Sequence, residues 1–391
     1  MASLAEIVAA PARAPESPHR RIAERETGES CSLESYLALP DRSADRRIEQ
    51  ARAALGSSAV LLGHHYQRDE VIRFADFTGD SYKLAKEAAG TNSRYVVFCG
   101  VHFMAESADI LVGAGRQVIL PDLNAGCSMA DMAEIGQVEN CWQSLERAGL
   151  GGDEVMPITY MNSAADIKAF CGERGGMACT SSNAGASFSW AFARRSKILF
   201  LPDQHLGRNT AYAMGIPLDK MAVWDPYQIH GGISPARLRD VSVILWKGHC
   251  SVHQRFLPGH VDAVRARHPG IQVIVHPECR WEVCQKADAL GSTERLIRIV
   301  EEAPAGSSFA VGTEIHLVNR MAARFAPQGK SVITLDDTGC LCTTMYRISP
   351  QHLAWALERL VAGEVVNRIQ VRDDVKRWAR VALDRMLEIK A

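Results

Sequence analysis

One pattern, repeated three times about a hundred residues apart, constrains this chain more than any single motif in it. The first copy is LLGHHYQRDEVIRFADFTGDS, residues 61–81: an apolar run ends in His64, His65 and Tyr66, and a hydroxyl follows at Ser81. The second is PITYMNS, with Tyr160 and Asn162, followed by Thr180-Ser181-Ser182. The third is VIVHPE, with His276 and Glu278, followed by Ser292-Thr293. From the first polar residue to the hydroxyl the spacing is 17, 21 and 17 residues. Each copy then reaches a cysteine after a further apolar run: Cys127 in VILPDLNAGC, Cys250 in VILWKGHC, and Cys340 with Cys342 in VITLDDTGCLC. Such a period is too long for a solenoid. It predicts three homologous α/β units in one chain.

The apolar runs are short and continuous, as parallel strands covered on both faces should be, and helix-periodic segments alternate with them. The expected fold is therefore α/β: three homologous three-layer α/β/α units with parallel sheets, in pseudo-threefold arrangement, with the active site at the central interface. The expected boundaries are 43–140, 141–255 and 256–350. Residues 1–42 are expected to be a mobile N-terminal tail, and 351–391 to form helices that pack back on the core. ADFTGDSYKLAKEAAG reads as one helix with Asp80 as its cap and Gly90 as its stop, and WEVCQKADALG as another.

With a formal net charge of −1, the chain carries no field that would gather nucleic acid. No apolar run has the length of a membrane helix, and the N-terminus lacks a signal-peptide core, so a cytoplasmic location is expected. The 11 cysteines are odd in number and irregular in spacing, in a chain far too long to need disulfide staples. Cys99, Cys141, Cys171, Cys179, Cys279 and Cys284 read as small core residues, and Cys31 carries no signal.

The chemistry follows from where the repeat puts its polar groups. Residues at the carboxyl end of a parallel strand face the crevice where α/β folds bind ligands. His64, Tyr66, Tyr160, Asn162, His276 and Glu278 include the types needed for proton transfer and carbonyl orientation. Alternation turns His65 the other way. Ser81, Ser181 and Thr293, at helix starts, suit carboxylate or phosphate. Asp203, His205 and Arg208 crowd another strand end, and His253 lies about a helical turn beyond Cys250. The thiols have neither zinc-ribbon nor ferredoxin spacing. Three of them meeting at a pseudo-threefold axis would bind three irons of a [4Fe–4S] cluster and leave the fourth open as a Lewis acid. Cys127, near a helix start, should favour its thiolate. Of the close pair, Cys342 is the preferred ligand. Cys340 is left as a second ligand, a reversible disulfide partner or an unused thiol. No P-loop, dinucleotide fingerprint or radical-type cysteine run occurs.

The segments GHHYQRDEVIRFADFTGDSYKLA, FCGVHFMAESADIL, PDLNAGCSMADM, TYMNSAADIKA, CTSSNA, LPDQHLGRN, WKGHCSVH, VIVHPEC and GSTERLI together resemble the quinolinate synthase family of bacterial NAD biosynthesis, over about residues 45–370. The resemblance implies condensation of iminoaspartate with dihydroxyacetone phosphate to quinolinate, with loss of phosphate and two waters. It implies a [4Fe–4S] cluster on Cys127, Cys250 and Cys342, catalysis by Tyr66, Glu278 and His276, and substrate binding by His64, Ser81, Tyr160, Asn162, Ser181, His253 and Thr293. It also admits a transient contact with the oxidase that makes iminoaspartate. The other readings open to the same residues are a different iron–sulfur hydro-lyase and a cluster-bearing redox sensor switched by Cys340 and Cys342.

Overall fold

The apolar runs become the inner strands of three separate sheets in the computed structural model, which describes residues 32–389. The first sheet holds β1 (Ala59–His64), β2 (Phe77–Gly79), β3 (Tyr95–Cys99) and β4 (Gln117–Ile119). The second holds β5 (Val155–Tyr160), β6 (Met177–Cys179), β7 (Lys197–Leu201), β8 (Met221–Trp224) and β9 (Val243–Trp246). The third holds β10 (Gln272–Val275), β11 (Ala289–Leu290), β12 (Ser308–Gly312) and β13 (Ser331–Thr334). A last strand, β14 (Arg368–Ile369), joins the first sheet beside β4 and is antiparallel to it.

All other pairings are parallel, and the three sheets share one order. The first strand of each lies between the second and the third, and the last lies outside the third: β2-β1-β3-β4, β6-β5-β7-β9 and β11-β10-β12-β13. The second sheet adds β8 beyond β9. Register makes the likeness residue-specific. Gly63 faces Cys99, Thr159 faces Leu201 and Val275 faces Gly312, so His64, Tyr160 and His276 occupy like places one residue on. Every residue of β3, β5, β7 and β9 is buried, and since alternate side chains point to opposite faces, both faces of these strands are covered.

Short caps start the helices that carry the chain back. Asp80 accepts from the Lys83 N–H and opens Ser81–Gly90, and Ser292 accepts from the Arg295 N–H and opens Thr293–Glu302. Asp203 and Glu314 do the same for Gln204–Ala213 and Ile315–Phe325.

Some expectations are corrected. The segment read as one helix from Ala75 begins as β2, whose three residues are too short to show a period. WEVCQKADALG likewise ends as β11 after the helix Trp281–Lys286. Residues 1–31 of the expected tail lie outside the described residues, but Leu33–Leu37 is helical and Asp41 opens the helix Asp41–Leu55. Both pack on Pro350–Val361, where Glu358 accepts from the Tyr36 hydroxyl and from Arg47 at 2.7 and 2.6 Å. The helix Asp373–Glu388 lies on Ala165–Glu173, in the second sheet's layer. Gly172 permits this: a Cβ there would stand 2.1 Å from the Trp378 carbonyl oxygen.

Candidate active site

The carboxyl ends of β1, β5 and β10 open on a single cavity. His64, Tyr66, Tyr160, Asn162, His276 and Glu278 all line it, although they come from three sheets. Ser81, Ser181 and Thr293 line it too, from the helix or turn after the second strand of each sheet. The Ser182 hydroxyl is 3.4 Å from Asp80 Oδ2 and 2.9 Å from Ser292 Oγ, so side chains from all three sheets touch beside those hydroxyls. His65 points away and meets Glu294 at 2.9 Å, as alternation required. Within the cavity Asn162 Oδ1 and Thr293 Oγ1 are buried and have no partner among the described residues. Buried polar atoms are nearly always satisfied, so two orphans facing one cavity are what a polar ligand would complete.

Behind this wall runs a connected polar chain. The Tyr66 hydroxyl lies 2.7 Å from Thr313 Oγ1, which lies 3.2 Å from His253 Nε2; His253 Nδ1 lies 2.7 Å from Glu278 Oε2. The carboxylate can only accept, so His253 donates to it from Nδ1. His253 stacks on His276 with ring centres 4.5 Å apart, and it lies just behind the cavity rather than lining it. His64 and His276 each accept a backbone N–H at Nδ1, from Tyr66 at 3.1 Å and Glu278 at 3.3 Å. Burial holds His276 down to about 3 and His64 well below the usual range, so both rings are neutral and carry their proton on Nε2. Burial and the Glu278 charge push Tyr66 and Tyr160 well above the usual phenol range. Burial also acts to raise Glu278, but His276, His253 and the Tyr160 hydroxyl outweigh it and keep the carboxyl ionised.

The thiols sort themselves by exposure. Of the ten cysteines among the described residues, only Cys127, Cys250 and Cys342 are partly exposed, and these three line the cavity. The six read as core residues are buried, and so is Cys340, at 1% exposure in the third sheet's apolar cluster. Cys127 and Cys342 stand at the starts of the short helices Ser128–Asp131 and Thr343–Tyr346. Backbone N–H groups of Met129 and Ala130 act to lower the Cys127 thiol, that of His253 the Cys250 thiol, and those of Thr344 and Met345 the Cys342 thiol. The expectation that Cys127 would favour its thiolate is reversed in the bare protein, because burial outweighs the N–H donors and raises it to about 12. Cys250 and Cys342 are raised by burial as well. Three neighbouring sulfurs with N–H donors aimed at them, yet protonated on their own, fit a soft metal centre whose cations would supply the missing stabilisation.

Comparison with known proteins agrees. A family profile described as "Quinolinate synthetase A protein" matches residues 46–388. A quinolinate synthase of Acidobacterium capsulatum is 75% identical over 362 residues, which is 93% of this chain and 97% of that protein. Quinolinate synthases of Nocardioides sp. and Streptomyces coelicolor are 58% and 54% identical, covering 90% of this chain in each case and 91% and 90% of their own. The chain belongs to the quinolinate synthetase A family.

Within this member of the family, three polar residues at the site escaped the sequence reading. Thr313 follows β12 in the place that Gly100 and Pro202 hold in the other sheets, so extending the repeat to the third strands would have exposed it. Asp80 was read only as a cap, yet its side chain also lines the cavity. Glu314 reaches the N–H of Cys342 at 3.4 Å besides capping its own helix. Asp203, noted as part of a polar strand end, caps its helix through Oδ1 while Oδ2 is buried without a partner. His205 turns outward to Gln254.

Proposed function

We propose that the protein condenses iminoaspartate with dihydroxyacetone phosphate to quinolinate in NAD biosynthesis, releasing phosphate and two waters. The observation that carries this reading is the meeting in one cavity of Cys127, Cys250 and Cys342 with the polar strand ends of three like sheets. The shared strand order also supports three homologous units, 43–140, 141–255 and 256–350, in a pseudo-threefold array, with 351–391 packed on them. Cys127, Cys250 and Cys342 would hold a [4Fe–4S] cluster, which when bound supplies an iron without a protein ligand as a Lewis acid for a substrate oxygen.

The chain's own residues account for binding and for proton movement. Neutral His64, donating from Nε2, and Asn162 bind substrate oxygens, with Tyr160 beside them. The hydroxyls of Ser81, Ser181 and Thr293 take carboxylate or phosphate. Ring formation makes one C–N and one C–C bond and expels phosphate and two hydroxyl groups as water. Each water lost needs a proton removed from carbon or nitrogen and one delivered to oxygen. Glu278, ionised, removes protons, with His276 beside it and donating from Nε2. Tyr66 delivers a proton from its hydroxyl and regains one from water as product leaves, while Thr313 and His253, whose Nδ1 proton Glu278 accepts, hold the hydroxyl in place. Among the described residues no helix is long and apolar enough to cross a membrane. A cytoplasmic enzyme with a transient contact to the iminoaspartate-forming oxidase is the setting proposed.

The test is direct. Protein purified without oxygen and reconstituted with iron and sulfide should form quinolinate from the two substrates. No quinolinate, with a full cluster spectrum, overturns the assignment and leaves the hydro-lyase and sensor readings.

A further inference from the structure

Each of the three loops that present these residues is gripped from a neighbouring sheet's layer by one polar side chain that does not line the cavity. Arg320, on Ile315–Phe325 after β12, donates to the backbone carbonyls of His65 and Gln67, the latter at 2.9 Å, and to Asp69 at 2.6 Å. Asn209, on Gln204–Ala213 after β7, donates from Nδ2 to the carbonyls of Pro277 at 2.8 Å and Cys279 at 2.9 Å. Glu106, on His102–Leu111 after β3, accepts the N–H of Ala165 at 3.0 Å, just past Asn162. The grips run one way round: first sheet to second, second to third, third to first. They also start from like places. Asn209 and Arg320 are six residues beyond the caps Asp203 and Glu314, and Glu106 is five beyond the cap position Val101.

The carbonyls chosen are informative. His65 and Gln67 flank Tyr66, and Pro277 and Cys279 flank Glu278. The first carbonyl of each pair lies in the peptide plane just before the residue between them and the second lies one plane beyond that residue, so the two bonds pin the backbone on both sides of it. With this short stretch held at both ends, the φ and ψ of the middle residue, and with them its Cα–Cβ direction, have little room to swing. Neither grip touches the side chain it aims, and neither can be replaced by packing, since an apolar partner leaves the carbonyls unpaired.

We propose that Arg320 and Asn209 are positioning residues for Tyr66 and Glu278. This rests on the reaction proposed above. Arg320→Met keeps the unbranched apolar stem at a partly exposed position and removes its donors, whereas Arg320→Lys keeps a donor for two carbonyls. Asn209→Leu keeps the volume and removes the amide. In reconstituted enzyme, Arg320→Met and Asn209→Leu should each lower kcat about 10- to 100-fold, the cost of a displacement of roughly 1 Å at a reacting group. KM should stay within about threefold, because the groups released act on protons rather than on ground-state binding. Arg320→Lys should recover most of the loss, and iron content should match the parent. Hydrogen exchange of the free protein supplies a readout without substrate: amides of 65–69 should exchange faster in Arg320→Met alone, and those of 276–280 in Asn209→Leu alone. Variants that turn over like the parent, a lysine no better than methionine, or exchange unchanged at both loops would each overturn the proposal. If the parent itself makes no quinolinate, the assigned reaction fails and the exchange pattern still decides for or against the grips.

Discussion

Replacing Glu278 by Gln tests the centre of the proposed chemistry, because it removes one charge and almost no volume. The carboxylate is 3% exposed, His253 Nδ1 is 2.7 Å from Oε2 and His276 Nδ1 is 3.9 Å from Oε1. A Gln oxygen can still accept from His253, so the loop should stay in place and stability should change by about 1 kcal/mol or less. The lost capacity is to take and return a proton, which contributes roughly 10²- to 10⁴-fold in rate, or about 3–5.5 kcal/mol of barrier. A unit charge acting on a developing charge at about 4 Å, in an effective dielectric near 20, contributes about 4 kcal/mol. The second value falls near the middle of that range, so kcat should fall by about 10³-fold. The assay is quinolinate formation by anaerobically reconstituted enzyme, with the visible absorbance of the cluster read on the same samples. Turnover within about tenfold of the parent would remove Glu278 from proton transfer. Since Cys250, His253 and Glu278 place ligand-type atoms within 4.8 Å of one another, loss of absorbance in step with activity would also refute the argument, by assigning Glu278 to the metal site instead.

Cys342→Ser, Cys127→Ser and Cys250→Ser should each lose bound iron and absorbance, while Cys340→Ser keeps both; iron analysis after reconstitution decides, and a Cys340 variant without iron would reverse the ligand choice. His276 and His205 are held neutral by burial, at about 3 and about 4. The unfolded chain therefore binds protons below pH 6.5 that the folded one refuses, so stability is lost as pH falls from about 6.5 toward 4. The Tm of the iron-free protein should decline through that window, and a flat profile would contradict the buried, neutral state of both rings. Gly172→Ala should destabilise the protein by about 1–3 kcal/mol or more in urea unfolding, because the new methyl group meets the Trp378 carbonyl and forces the C-terminal helix outward. An unchanged midpoint would show that this helix contributes little.

The local pattern of the chain was enough to place the long strands, the capped helices and the threefold recurrence of polar strand end, hydroxyl and thiol, because each is written in a period or a cap of a few residues. Asp80 could be read as a cap from its neighbours alone. Elements without a period of their own depended on contacts with distant parts of the chain. β2 and β11 exist because β1 and β10 offer them an edge, β14 because β4 does, and the helix at Leu33 because Pro350–Val361 offers it a surface and Glu358. Cys340 and Cys342 lie two residues apart and look alike in sequence. The left-handed turn at Gly339 and the short helix at Thr343 bracket them, and the folded chain sends one sulfur into an apolar cluster and the other to the cavity. Thr313, Asn209 and Arg320 matter only through partners sixty or more residues away, and no local pattern can encode a direction in space between segments that far apart.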